Sequence, residues 1–180
     1  MKKKLVIIIA AIAVLVIAAC VLVLTGVIRF PHKQQEEAPS QPVAYLEYMN
    51  SYMLIDRNMK VTGSEQEVPA GLPKVTGLSF EKIIVGSELE VTNPDAAKYA
   101  MKLVDCIHKN TLDIAEVYVS LDLNATMYVG NIKILMGQDV STEEKLHDLR
   151  DFYDDVKGLS GVLDMQELSK NNLGYSFKTN

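Results

Sequence analysis

Two hydrophobic periods and one long apolar run organise the chain. The run comes first: Leu5 to Ile28 carry no charged side chain, and Lys2, Lys3 and Lys4 stand directly before them. As a helix this run reaches about 36 Å, enough to cross a hydrocarbon core of about 30 Å with some tilt. Beyond a spacer, short alternating segments predict strands. Val43 to Met49 and Tyr52 to Ile55 read as a hairpin across Asn50-Ser51. Asp56 to Met59 read as a turn into Lys60-Val61-Thr62, followed by a loop from Gly63 to Gly71. Ala115, Val117, Val119 and Leu121 alternate with Glu116, Tyr118 and Ser120. Met127-Tyr128-Val129 meets Ile132 to Met136 across Gly130-Asn131, a two-residue turn with glycine first. Val162 to Met165 and Leu173 to Phe177 supply two last strands.

The other period is helical. Ala100, Leu103, Val104 and Ile107 recur at i, i+3, i+4 and i+7 behind Asn93-Pro94, an N-cap followed by a proline suited to the first turn. Leu146, Leu149, Tyr153 and Val156 form a second stripe. It starts at Ser141-Thr142-Glu143-Glu144, where Ser141 and Glu144 suit a capping box, and stops at Lys157-Gly158. The pattern predicts an α+β domain, a mostly antiparallel sheet with two helices on one face, behind a single N-terminal transmembrane helix.

Charge orients this arrangement. The three lysines hold the N-terminus in the cytoplasm, so residues after Phe30 are expected outside. The expected division is a cytoplasmic tail over 1–4, a membrane helix over 5–30, a linker over 31–42 and an extracytoplasmic domain over 43–180. The linker carries three prolines and almost nothing to bury, which suits an extended spacer. All 23 acidic residues follow Phe30, and four of the 18 basic residues precede Pro31. The outer part therefore sets 14 basic against 23 acidic side chains, a formal charge of −9. Nucleic acid is a poor partner for such a surface. Cys20 lies in the apolar run, which leaves Cys106 as the only outer thiol and no disulfide framework.

Candidate chemistry is sparse. His32, His108 and His147 have no cysteine or carboxylate at metal-ligand spacing. His108, at the end of the first helical stripe, suits the helix dipole. Gly158-Leu159-Ser160-Gly161 lacks the strand-turn-helix context of a nucleophile elbow or a phosphate loop. The chain is expected to be non-catalytic. One alternative stays open: Ile17-Ala18-Ala19-Cys20 matches a lipobox, which would make the protein an envelope lipoprotein or ligand-binding module lipidated at Cys20. Val21-Leu22-Val23-Leu24, still apolar, favours an uncleaved anchor.

Several segments, in order, resemble the β domain of the bacterial cell-division family FtsQ, called DivIB in Gram-positive bacteria. Pro42 to Tyr45 with Tyr52 to Asp56 resembles the family's opening hairpin. Leu72-Pro73-Lys74-Val75-Thr76-Gly77-Leu78 resembles its LP-x-(I/V)-x-G-L segment. Met136-Gly137 followed by Glu144-Lys145-Leu146 and Leu149 resembles its glycine-then-KL helix start, and Gly161 to Met165 its late strand. The family places a POTRA domain between span and β domain, where this chain has only the spacer from Pro31 to Gln41. Met59 stands where the family's turn often has glycine. The resemblance implies a non-catalytic divisome scaffold without cofactors, binding FtsB/DivIC-like and FtsL-like proteins during septum formation. It implies strand addition at the last pair of strands, near Leu163, Met165, Leu173, Tyr175 and Phe177.

Overall fold

A computed structural model describes residues 40–167 and 174–179. The chain divides between Ala38 and Pro39, and the described residues belong to the second unit. The expected tail and membrane helix, nearly all of the linker, Cys20, His32 and Leu173 lie outside the described residues. Among the described residues, no helix is long and apolar enough to cross a membrane.

The second unit is α+β, with two helices and one mostly antiparallel sheet. Its elements are β1 (Ala44–Tyr48), β2 (Ser51–Ile55), β3 (Val61–Glu65), β4 (Lys74–Thr76), α1 (Pro94–Lys109), β5 (Glu116–Val119), β6 (Ala125–Val129), β7 (Asn131–Gly137), α2 (Thr142–Val156), β8 (Ser160–Asp164) and β9 (Ser176–Thr179). The strand order is β3-β2-β1-β4-β5-β6-β7-β8-β9. The pairs β1–β4, β4–β5 and β7–β8 are parallel, and the others antiparallel. Adjacent parallel strands need a crossover that returns the chain to the same end of the sheet. The helix α1 is that crossover between β4 and β5, and α2 is the one between β7 and β8.

Register places alternate residues on opposite faces. Val117 pairs with Met127, and Ile134 with Leu163. These four are buried, as are Ala44, Leu46, Ile55, Ile132 and Met136. They form one core with Ala100, Leu103, Val104 and Ile107 of α1 and with Leu146 and Leu149 of α2. The expected α1 stripe is therefore the buried one. The N-cap is also as expected: Asn93 accepts a hydrogen bond from the Ala96 amide at 3.2 Å.

Four local expectations need correction. The first hairpin turns at Met49-Asn50, not Asn50-Ser51, because Tyr48 pairs with Ser51. Both turn residues have positive φ, 48° and 61°, which suits the right-handed twist of a two-residue hairpin. The capping box is not formed: Ser141 has φ 52° and makes no side-chain cap. Thr142 instead donates to Asp139 at 2.6 Å. Ala115 and Leu121 leave the expected alternation. Ala115 is exposed, and Leu121, 70% exposed, sits in the turn after β5. The loop expected from Gly63 starts later, since β3 runs to Glu65, and Lys74 to Thr76 form the short parallel β4.

Candidate functional site

The last strands form one end of the sheet. β8 pairs with β7 on one side and with β9 on the other, and β9 is terminal. A terminal strand has one side of its backbone without a ladder partner, and such groups can accept another chain. Leu163 faces Phe177 across the β8–β9 ladder, and Asp164 faces Ser176.

Gly161 sets how closely β9 can lie. A Cβ at this position would collide with the Lys178 carbonyl oxygen and crowd the Phe177 ring. No larger residue fits without displacing β9. The strand is also held from below by α2. Tyr175, just before β9, donates its hydroxyl to Asp148 at 2.6 Å. Its ring packs on Phe152, with centroids 5.9 Å apart. Burial, then the hydrogen bond to Asp148 and the nearby carboxylates of Asp148 and Glu144, hold the Tyr175 phenol well above its usual range. The neutral, donating form is thus the stable one here.

A buried lysine anchors the far end of β8. Lys145 is 1% exposed. Its ammonium donates to the carbonyls of Met136 at 2.8 Å and Gln166 at 3.1 Å. Desolvation pulls its pKa down, against the pull of Asp164 and Asp139 in the other direction. Lys145 thereby joins the first turn of α2 to the ends of β7 and β8. Sequence reading singled out Lys145 for resemblance only. A lysine one residue before the buried Leu146 is the local signal that it sits at the edge of the apolar stripe.

The site residues expected from sequence separate into two groups. Leu163 and Met165 are buried, 3% and 0% exposed, with their side chains in the core. Tyr175 and Phe177 are half-buried and pack against that core. The outer surface of the strand is instead offered by Ser176, Lys178 and Thr179, all exposed.

Other candidate chemistry is dispersed. The His108 ring nitrogen lies 2.6 Å from the Val43 carbonyl oxygen, tying α1 to the start of β1. His147 is exposed, 4.0 Å from Asp151 on the same helix. Among the described residues, no three histidine, cysteine or carboxylate side chains gather to hold a metal. A groove of about 650 Å³ runs along α1, with Met59, Leu89 and Met101 in its lining. Its charges largely answer each other: Arg57 meets Asp105 at 2.9 Å, and Lys102 meets Asp139 at 2.8 Å.

No family model matches the sequence, and no curated protein matches it.

Proposed function

We propose that this chain is a non-catalytic, bitopic scaffold of the FtsQ/DivIB kind. Residues 5–30 anchor it in the bacterial cell membrane, with the N-terminus cytoplasmic. The domain over 43–180, with both helices on one face of its sheet, works outside and binds FtsB/DivIC-like and FtsL-like proteins during septum formation. The observation that carries this reading is the terminal strand β9, whose outer backbone lacks a ladder partner among the described residues. The apolar run behind three lysines supports the anchor, and the segments quoted above support the family.

Strand addition at β9 has a direct test. Backbone pairing tolerates most side-chain changes, but proline removes a donor and fixes φ. The Met165 amide faces β7, so Val162 and Asp164 face β9, and the backbone groups of their partners Lys178 and Ser176 face inward while those of Phe177 and Thr179 face outward. Thr179→Pro is expected to weaken capture of an FtsB/DivIC-like protein far more than Thr179→Ala does. The Thr179 side chain is exposed and its N–H is not part of the β8–β9 ladder, so the domain's circular dichroism and melting temperature should stay near those of the parent. Undiminished capture by a folded Thr179→Pro chain puts the docking site elsewhere.

A further inference from the structure

The sheet has a second terminal strand, β3, and among the described residues only its beginning is covered. Val61 donates to the Ser87 carbonyl at 2.9 Å, and its own carbonyl accepts from Gly86 at 2.7 Å. Lys60 bridges Glu88, and Leu89 donates to the Met59 carbonyl at 2.9 Å. This strap over 86–89 ends at Val61. From Gly63 to Glu65, no described residue pairs with the outer side of β3. Backbone groups alternate sides along an antiparallel strand, so part of this stretch turns its N–H and C=O groups outward.

The chemistry around the open stretch is specific in two respects. Eight large apolar side chains are exposed among the described residues, and Val68, Ile84 and Val85 are three of them, at 61%, 52% and 56%. Val68 follows β3 by three residues. Ile84 and Val85 form the turn that leads into the strap, closed by the Ser87 amide on the Ile84 carbonyl at 3.1 Å. Single exposed aliphatics are ordinary, but Ile84 and Val85 are adjacent where the chain enters the strap, and Val68 lies on the segment that leaves β3, so both segments next to the open stretch offer apolar surface. The same segments carry Glu65, Glu67, Glu81 and Glu88, all exposed, against Lys60 and Lys82.

We propose that Gly63–Glu65 of β3 is a second strand-addition site, for an extended segment of another protein that alternates aliphatic and basic residues. The unpaired backbone selects an extended main chain, the flanking aliphatics select apolar side chains, and the carboxylate excess selects basic ones. The site stands at the opposite end of the sheet from β9, eight inter-strand steps away. Two extended segments can therefore bind one domain without meeting. The inference rests on this edge and not on the division reading.

The test uses the full-length chain in lipid nanodiscs. The probe is an end-blocked nonapeptide of alternating valine and lysine. At saturating peptide, amide hydrogen exchange at Gly63–Glu65 is expected to slow about tenfold or more. The double variant Ile84→Ser, Val85→Ser is expected to bind the peptide about tenfold more weakly with an unchanged melting temperature. Both side chains are exposed, so their loss leaves the core intact. The same peptide methylated on the nitrogens of one edge should not bind. Thr179→Pro should leave protection at Gly63–Glu65 unchanged. Protection confined to β9, equal binding by the double variant, or concentration-dependent protection without peptide, which signals a second copy of the chain, each overturns the proposal. A chain that fails here yet still captures its partner through β9 loses this site and keeps the proposed function.

Discussion

Tyr175 is one side chain on which pH and strand attachment meet. Its phenol ionises less readily in the folded chain than at its ordinary 10.0, because of burial and the bond to Asp148. A group shifted this way contributes stability at every pH below its unfolded value and loses it as the pH rises through the folded value. Tyr175→Phe should therefore cost about 1 kcal/mol at neutral pH, discounted for partial exposure. The difference from the parent should shrink once the pH passes 10. Melting temperatures from pH 7 upward would show the two curves converging; a constant gap would deny the bond its role. Lys145 offers a contrast. Lys145→Met fills the same space but leaves the Met136 and Gln166 carbonyls without their donor, at about 2 kcal/mol. Urea unfolding should show a lower midpoint with an unchanged slope. Gly161→Ala, by its collision with the Lys178 carbonyl, should cost about 1–3 kcal/mol, with exchange at β9 rising more than at β7.

At the scale of elements, the two helix starts look alike in sequence and differ in structure. Asn93→Ala removes a formed cap and should lower stability by about 1 kcal/mol. Ser141→Ala removes a side chain that makes no cap bond, and should change little. A thermal melt of the two variants side by side separates them. The contrast also shows what the residues could reveal. The α1 stripe, the N-cap at Asn93 and the Gly130-Asn131 hairpin were legible because each rests on neighbours in the chain. Ser141 was not: its left-handed φ stands at the end of the connection from β7 to α2, whose partners lie on α1, far back in the sequence. Tyr99 donates to the Gly137 carbonyl at 3.1 Å, and Lys102 reaches Asp139. The Met49-Asn50 turn was misplaced by one residue because methionine rarely occupies positive φ. β4 was missed because three residues in parallel pairing leave no alternation to read. For the candidate site, the last two strands were legible, but not which side chains face out. Gly174 and Tyr175 lie before β9, which begins at Ser176, and Leu163 and Met165 take the inner face.

At the scale of the whole chain, the proposed anchor makes two measurable claims. With the N-terminus inside, a C-terminal alkaline phosphatase fusion should be active, and a C-terminal green fluorescent protein exported through the general secretion route should be dark. The reverse pair would invert the orientation. Intact mass should show the full N-terminus; cleavage before Cys20 with added acyl mass would replace the anchor by a lipoprotein. One feature of the sheet bears on what such a tethered domain can withstand. Within the sheet ladder, among the described residues, β1, β2 and β3 join the remaining strands through β4, three residues long. β1 meets β4 at one register pair, Tyr45 with Lys74, with the Tyr45 amide on the Pro73 carbonyl at 3.1 Å. The Lys74–Glu47 pair at 2.6 Å adds an exposed link across the same line. A load applied between a membrane tether at the N-terminus and a partner gripping β9 crosses this seam together with the His108–Val43 contact and the core shared with α1. Antiparallel ladders elsewhere share strain over four or five register pairs; the β1–β4 ladder has one. Under tension the domain should yield in two steps, the N-terminal meander parting first while β5 to β9 and the helices still hold, which makes β4 its mechanical fuse.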